Sequence, residues 1–144
     1  MPQLANQESR GFTHFFRITG TELATTGYLT SSEKLIASLP AGGIITNAAV
    51  VVNNALTGAS DITISVGTVT GTASNLIAST DLDALTKVAY NTGSAVDTEP
   101  GLVNNTTAAT PVFARFGGTV GSLTGGDFTI ALTILDPGAI STGV

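Results

Sequence analysis

The segment from residue 128 to residue 135 alternates between large apolar side chains and threonine or alanine. Successive side chains of a strand point to opposite faces, so this period of two gathers the apolar residues on one face. That face contains Phe128, Ile130, Leu132 and Ile134. The segment from 61 to 67 repeats the pattern, with Ile62, Ile64 and Val66 on one face. Such strands need a second layer to cover their apolar face, so the pattern predicts packed sheets.

Turn signals separate a series of similar short segments along the chain, such as Pro40 followed by Gly42 and Gly43. No segment has the length and period of a helix that could connect two parallel strands. We therefore predict an all-β fold, an antiparallel β-sandwich that is jelly-roll-like and has an extended N-terminal arm. We also expect residues 44–52 and 61–67 to form a hairpin. The predicted strands span residues 12–19, 27–30, 35–39, 44–52, 61–67, 75–79, 88–90, 112–116 and 128–135, with one helical turn at 81–85.

The length of 144 residues is ordinary for one domain. The first ten residues are polar and carry no period, which indicates an arm ahead of an aromatic strand. We predict an N-terminal arm and strand region at 1–32, the sandwich domain at 33–137, and a C-terminal tail at 138–144.

The chain is poor in charge, with 10% charged residues against about 25% in an average protein. Its net charge is −5 and its five lysines and arginines are scattered, whereas phosphate binding needs clustered basic residues. We therefore expect no direct nucleic-acid partner. No apolar run approaches the roughly 20 residues that cross a bilayer, and the first residues show no secretory signal. We expect no membrane partner, and synthesis in a cytoplasm.

No catalytic set can be assembled from these residues, and we expect a protein that is not an enzyme and that binds no cofactor. His14 is the single histidine and lies in an aromatic segment, which favours a packed or interfacial role over general-base catalysis. Asp81 and Asp83 with Asp61 or Asp97 could supply oxygen ligands to calcium, but their spacing matches no calcium loop. Capping or solvation is the favoured role of these aspartates, so no metal site is predicted.

One part of the sequence resembles small structural proteins of tailed bacteriophages. The run from Leu35 to Val52 contains a strand that ends in Leu39-Pro40-Ala41-Gly42, followed by a valine-rich strand. The segments 61–68 and 75–82 continue the resemblance, which covers roughly residues 33 to 83. It is similar to the jelly-roll cement or decoration proteins of capsids. The resemblance implies a homotrimer on the capsid exterior of a virion, synthesised in the host cytoplasm, with the major capsid protein of the shell as its partner.

The N-terminal aromatic segment is the predicted partner-binding site, with anchors that would insert into pockets of a neighbouring protein. An equal alternative is that its phenylalanines complete the core of the sandwich. The predicted residues are Phe12, His14, Phe15, Phe16 and Arg17. A second functional hypothesis is a head-fibre or tail-appendage module for attachment to host-surface carbohydrate, because jelly rolls often carry lectin sites. The absence of tryptophan and the presence of two tyrosines disfavour that alternative.

Overall fold

Nine β-strands form two antiparallel sheets in the computed structural model, which describes residues 11–25, 33–83, 88–96 and 101–136. The larger sheet has the strand order β1-β9-β3-β6, with β7 also paired to β3, and the smaller sheet has the order β2-β8-β4-β5. The strands are β1 (His14–Thr19), β2 (Glu33–Leu39), β3 (Ile44–Thr57), β4 (Thr63–Gly67), β5 (Ile77–Asp81), β6 (Val88–Tyr90), β7 (Leu102–Val103), β8 (Thr110–Gly117) and β9 (Gly125–Leu135).

The chain passes back and forth between the two sheets, since β1 and β3 lie in the larger sheet while β2 and β4 lie in the smaller one. This eight-strand pattern, with β7 as an addition, is that of a jelly roll. The predicted all-β antiparallel sandwich is confirmed. The predicted hairpin between residues 44–52 and 61–67 is wrong, because β3 and β4 belong to different sheets and β3 pairs with β9 instead.

The core lies between the inner faces of the two sheets. The alternation of β9 is confirmed, since Phe128, Ile130 and Leu132 are fully buried and Ile134 is nearly so. The alternation of residues 61–67 is also confirmed by the complete burial of its three apolar residues. Phe116 and Phe128 place their ring centroids 5.9 Å apart in this core. Burial of these side chains is the main favourable contribution to folding.

β3 is longer than predicted. Asn53 and Asn54 were expected to end the strand, but it continues to Thr57. The register with β9 shifts at Asn54 and again before Thr57, which identifies local bulges in the pairing. Both asparagine side chains donate hydrogen bonds to Asp127 on β9. These side-chain bonds hold the asparagines within the strand pairing.

A short helix, α1 (Gly20–Thr25), follows β1, in the interval between the predicted strands at 12–19 and 27–30 where no helix was predicted. Thr19 and Glu22 form a capping box: the Glu22 amide donates to the Thr19 hydroxyl, and the Thr19 amide donates to the Glu22 carboxylate at 2.8 Å. Leu23 is fully buried in the core. The capping box thus explains why the helix begins here, and the side chain of Leu23 packs the helix against the core.

The aromatic segment contributes β1, which pairs with β9 along its whole length and is an edge strand of the larger sheet. Residues 14–19 are thus part of the sandwich, although they lie within the predicted N-terminal region. Three predictions fall outside the described residues: the arm at 1–10, the strand at 27–30 and the tail at 138–144. The predicted helical turn at 81–85 is not helical where it is described, because Asp81 ends β5 and residues 82 and 83 are irregular, while residues 84 and 85 lie outside the described residues.

Val50 and Val51 provide a matched test of the strand faces, because they are neighbours of the same type on β3. Val50 is 1% exposed and Val51 is 36% exposed. We expect Val50→Ala to lower the free energy of unfolding by about 2 kcal/mol through a buried cavity, and Val51→Ala to change it by less than about 0.5 kcal/mol. Urea unfolding measures both values. Equal losses in the two variants would contradict the assignment of inner and outer faces.

Candidate binding surface on the larger sheet

The outer face of the larger sheet carries a row of four residues that runs across four strands. The register pairs Phe15 of β1 with Ala131 of β9, Ala131 with Ala49 of β3, and Ala49 with Tyr90 of β6. Phe15 is 52% exposed and Tyr90 is 55% exposed. Two aromatic rings therefore stand at the ends of the row, with two small side chains between them.

Phe12 lies between these two rings. Its ring centroid is 6.3 Å from that of Phe15 and 6.3 Å from that of Tyr90, and both contacts are edge-to-face. This is a favourable geometry for aromatic pairs. Ala49 and Ala131 are only 4% exposed. Because they do not belong to the core between the sheets, we infer that the aromatic rings cover them. We call the surface formed by Phe12, Phe15 and Tyr90 the aromatic face.

Hydrogen bonds hold the Tyr90 end of the aromatic face. The Tyr90 hydroxyl donates to Oδ1 of Asn47 at 2.7 Å, and Nδ2 of Asn91 donates to the same oxygen at 3.1 Å. Asn91 adopts a positive φ of 49° and accepts a hydrogen bond from the Ala48 amide, a backbone conformation that asparagine tolerates better than most residues. The ring of Tyr90 is thus fixed while half of its surface stays open.

The Phe12 end is held by the residues around it. The Thr13 amide donates to the carbonyl of Leu132 at 3.0 Å, and the Thr13 hydroxyl accepts from the Ile134 amide at 2.9 Å. The Thr133 hydroxyl donates to the carbonyl of Gly11. Gly11 has a φ of 78°, a conformation that glycine adopts without strain. These bonds direct the chain ahead of β1 across the outer face, so Phe12 reaches Tyr90.

A polar cluster adjoins the aromatic face on the same side of the sheet. Nε of Arg17 donates to the Asp127 carboxylate at 2.8 Å, and Asn53 donates to it at 3.0 Å while also bonding the Thr129 hydroxyl. Asn54 donates to the second carboxylate oxygen. The Arg17 side chain is 67% exposed. Its guanidinium is oriented by Asp127 and still presents terminal nitrogens to solvent, a geometry suited to a partner's carboxylate.

Hydrogen bonds from Asn54, Arg17 and Asn53 to the charged form hold the pKa of Asp127 below its usual range. The carboxylate therefore binds fewer protons in the folded protein than in the unfolded chain. Its stabilising contribution is present above the unfolded pKa and is lost as the pH falls through the folded pKa.

Three of the five predicted binding residues lie together on this outer side, namely Phe12, Phe15 and Arg17. Phe16 is half-buried and packs against the core. The alternative that the phenylalanines complete the core of the sandwich therefore applies to this residue. His14 is exposed and its Nδ1 lies 2.7 Å from the Thr13 hydroxyl, which shows that it is not a packed core residue. That these residues bind a partner stays a prediction.

Sequence reasoning missed two members of this surface. Tyr90 was noted as one of two tyrosines, but its proximity to Phe12 depends on register across four strands. Asp127 precedes the alternating segment of β9, and its acceptor role depends on asparagines more than 70 residues away along the chain. In the sequence, Asp127 could be singled out only by its position, because it is a charged residue at the start of an apolar strand.

Of the four aspartates considered as calcium ligands, the described ranges contain Asp61, Asp81 and Asp83, while Asp97 lies outside them. Within them, no group of three or more His, Cys, Asp or Glu side chains is arranged to hold a metal ion. Burial raises the pKa of Asp83, and the nearby carboxylates of Asp81 and Asp61 raise it further. Asp61 accepts hydrogen bonds from Thr119, and Asp81 accepts one from the Asp83 amide. Among the residues described, no helix is long and apolar enough to cross a bilayer.

No protein-family model matches this sequence, and no curated protein does either. A chain of the solved structure titled Cyanophage Pam1 capsid asymmetric unit has a similar fold. The TM-score is 0.54 and the sequence identity is 21%, over 82% of this chain and 79% of that chain. At this identity the likeness concerns the fold. The sandwich described above therefore has a fold similar to that of a chain in a phage capsid structure.

The cluster around Asp127 predicts a specific dependence of stability on pH. Asp127→Asn should lower the melting temperature most near neutral pH, where the wild-type carboxylate is charged. The difference between the two proteins should shrink below about pH 4, as the wild-type carboxylate takes up a proton. Differential scanning calorimetry from pH 7 to pH 2.5 measures this difference. A difference that stays constant over the whole range would show that the charge of Asp127 contributes nothing to stability.

Proposed function

We propose that this chain is a structural protein of a tailed-phage virion, and specifically a decoration or cement protein that binds the outer surface of the capsid and stabilises the shell. The observation that carries the proposal is the aromatic face, which exposes Phe15 and Tyr90. The fold of the chain is also similar to that of a chain in a phage capsid structure, which supports a role in a virion. The resemblance of residues 33–83 to cement and decoration proteins supports the same role. The proposed partner is the major capsid protein of the shell.

The aromatic face has the features of an energetic centre of a protein interface. Aromatic residues and arginine are enriched among the residues that dominate binding energy, and this surface combines Phe12, Phe15 and Tyr90 with Arg17. The hydrogen bonds of Tyr90 and Thr13 fix the surface before binding. A surface that is already ordered loses less conformational entropy when a partner binds.

The composition of the chain supports a role in a protein assembly. Few charges and many threonines suit a surface that is covered in the assembly, because the centres of interfaces are depleted in charged residues. The larger sheet also leaves β1 as an edge strand, and unpaired edges are sites of association with other chains. On this basis, and on the resemblance to trimeric decoration proteins, we infer a homotrimer on the capsid exterior.

The alternative is an appendage module that binds host-surface carbohydrate. One observation favours it: Tyr90 is an exposed ring with polar neighbours, including Asn47, to which it is hydrogen-bonded. Shell binding has the stronger support, because Phe12 and Phe15 extend the apolar area well beyond one tyrosine ring. The two roles differ in whether the aromatic face is covered by the shell.

Substitutions on the aromatic face test the proposed role. We expect Phe15→Ser and Tyr90→Ser each to weaken binding to shells that lack this protein by about tenfold or more, because each removes an exposed aromatic anchor. Co-sedimentation of the purified protein with such shells measures the affinity. Thermal melting establishes that both variants stay folded.

Leu35→Ser is the matched control, since Leu35 is 58% exposed on the outer face of the smaller sheet, opposite Phe113. It also converts a large exposed apolar residue into serine, and we expect it to leave shell binding unchanged. Normal binding by folded Phe15→Ser and Tyr90→Ser variants, or a loss of binding in Leu35→Ser alone, would overturn the assignment of the aromatic face.

A further inference from the structure

The outer face of the smaller sheet contains an open depression of about 320 Å³. It lies on the opposite side of the sandwich from the aromatic face. Its volume is at the lower end of the range for small-ligand sites, which is about 300 to 1,000 Å³. Its described lining includes five hydroxyl side chains and one guanidinium: the residues are Thr63, Ser65, Thr72, Ser74, Ser79, Arg115, Phe116 and Gly117.

The depression exists because the residues at its floor are small. Ser65 of β4 is the cross-strand partner of Arg115, and Thr63 is the cross-strand partner of Gly117. A Cβ atom added at Gly117 would lie 2.6 Å from the Thr63 hydroxyl oxygen, so glycine at this position keeps the floor open. Thr63 and Ser65 supply hydroxyl groups from β4, the strand that pairs with β8 beside the arginine.

Arg115 is half-buried and makes no hydrogen bond or ion pair with any described residue. The arginine of the other sheet differs, because Arg17 is bonded to Asp127. A guanidinium has five donors in a planar fork that matches a carboxylate. The guanidinium of Arg115 is therefore a binding group held in a depression and left available to a ligand.

Two acidic side chains at neighbouring positions of this sheet accept hydrogen bonds from backbone amides. Glu33 is the cross-strand neighbour of Arg115, but its carboxylate accepts a hydrogen bond from the Gly71 amide at 2.7 Å. Asp81 is the cross-strand neighbour of Thr63 and accepts from the Asp83 amide at 2.8 Å. Neither carboxylate lines the depression. Among the described lining residues, Arg115 is the one charged group.

The rim of the depression is also ordered by hydrogen bonds. Asn75 accepts from the Thr68 amide at 2.8 Å and donates to the Thr68 hydroxyl at 2.9 Å, and the Ser74 hydroxyl donates to the Thr72 carbonyl. Together with the bond from Gly71 to Glu33, these contacts hold the connection between β4 and β5 beside Arg115. Little rearrangement is needed before a ligand binds.

We propose that this depression binds an acidic sugar, with the ligand carboxylate on the guanidinium of Arg115 and the ligand hydroxyls on the surrounding serines and threonines. A carboxylate would pair with the guanidinium through a charge-assisted bidentate contact. A polyhydroxylated ring matches a lining of hydroxyl donors and acceptors. The proposal does not depend on shell binding, because the depression and the aromatic face lie on different sheets.

Titration of the ¹⁵N-labelled full chain with glucuronate, acetate, glucose and inorganic phosphate tests the proposal by NMR. We expect glucuronate to shift the resonances of Arg115 and Ser65 with a Kd of about 1 to 10 mM, a range typical of a small polar ligand in an open site. Acetate has the carboxylate alone and glucose has the hydroxyls alone. Each should bind at least about tenfold more weakly than glucuronate, as should phosphate.

Arg115→Gln should weaken glucuronate binding by about tenfold or more, through loss of the charged fork. Lys34→Gln is the control, because it removes one positive charge from the neighbouring edge strand β2 without altering the lining; its affinity should equal that of the wild type. The proposal is overturned if glucuronate binds no more tightly than acetate or phosphate, or if folded Arg115→Gln keeps the wild-type affinity.

Discussion

The pairing of β3 with β9 at the centre of the larger sheet supports both the core and the candidate binding surface. On the inner side it aligns Val50 with Ile130, which belong to the core between the sheets. On the outer side it aligns Ala49 with Ala131, and these small residues leave space for the ring of Phe12. A shift of one residue in this register would exchange the two faces. It would turn alanines into the core and large apolar side chains towards solvent.

The two outer faces of the sandwich differ in chemistry although both derive from alternating strands. The larger sheet exposes aromatic rings beside an arginine that is already paired with Asp127. The smaller sheet exposes serine and threonine hydroxyls around Arg115, with Leu35 and Phe113 at neighbouring positions. A particle protein that uses the first face for the shell would present the second face outward. One small domain could therefore bind a different ligand on each of its two sheets.

Local pattern was sufficient to predict the parts of the fold that depend on neighbouring residues. The alternation in β4 and β9 predicted which side chains are buried, because a strand face is set by residue parity alone. The Thr19–Glu22 capping box was also a local signal, and it would have predicted α1. The extension of β3 through Asn53 and Asn54 was not predictable in this way. It depends on hydrogen bonds to Asp127, whose position follows from long-range pairing. For the same reason, the sequence indicated Phe12 and Phe15 but not their contact with Tyr90, which required the register of four strands.

The most direct test of the shell-binding account is a cryo-electron microscopy map of particles that contain this protein. The account predicts sandwich density at many equivalent positions on the capsid exterior, arranged as trimers. In each copy the larger sheet faces the shell, Phe15 and Tyr90 are covered, and Arg115 faces the medium. The account is contradicted if the protein is absent from the particle, if it occupies a few copies at a tail or vertex appendage, or if the aromatic face points away from the shell.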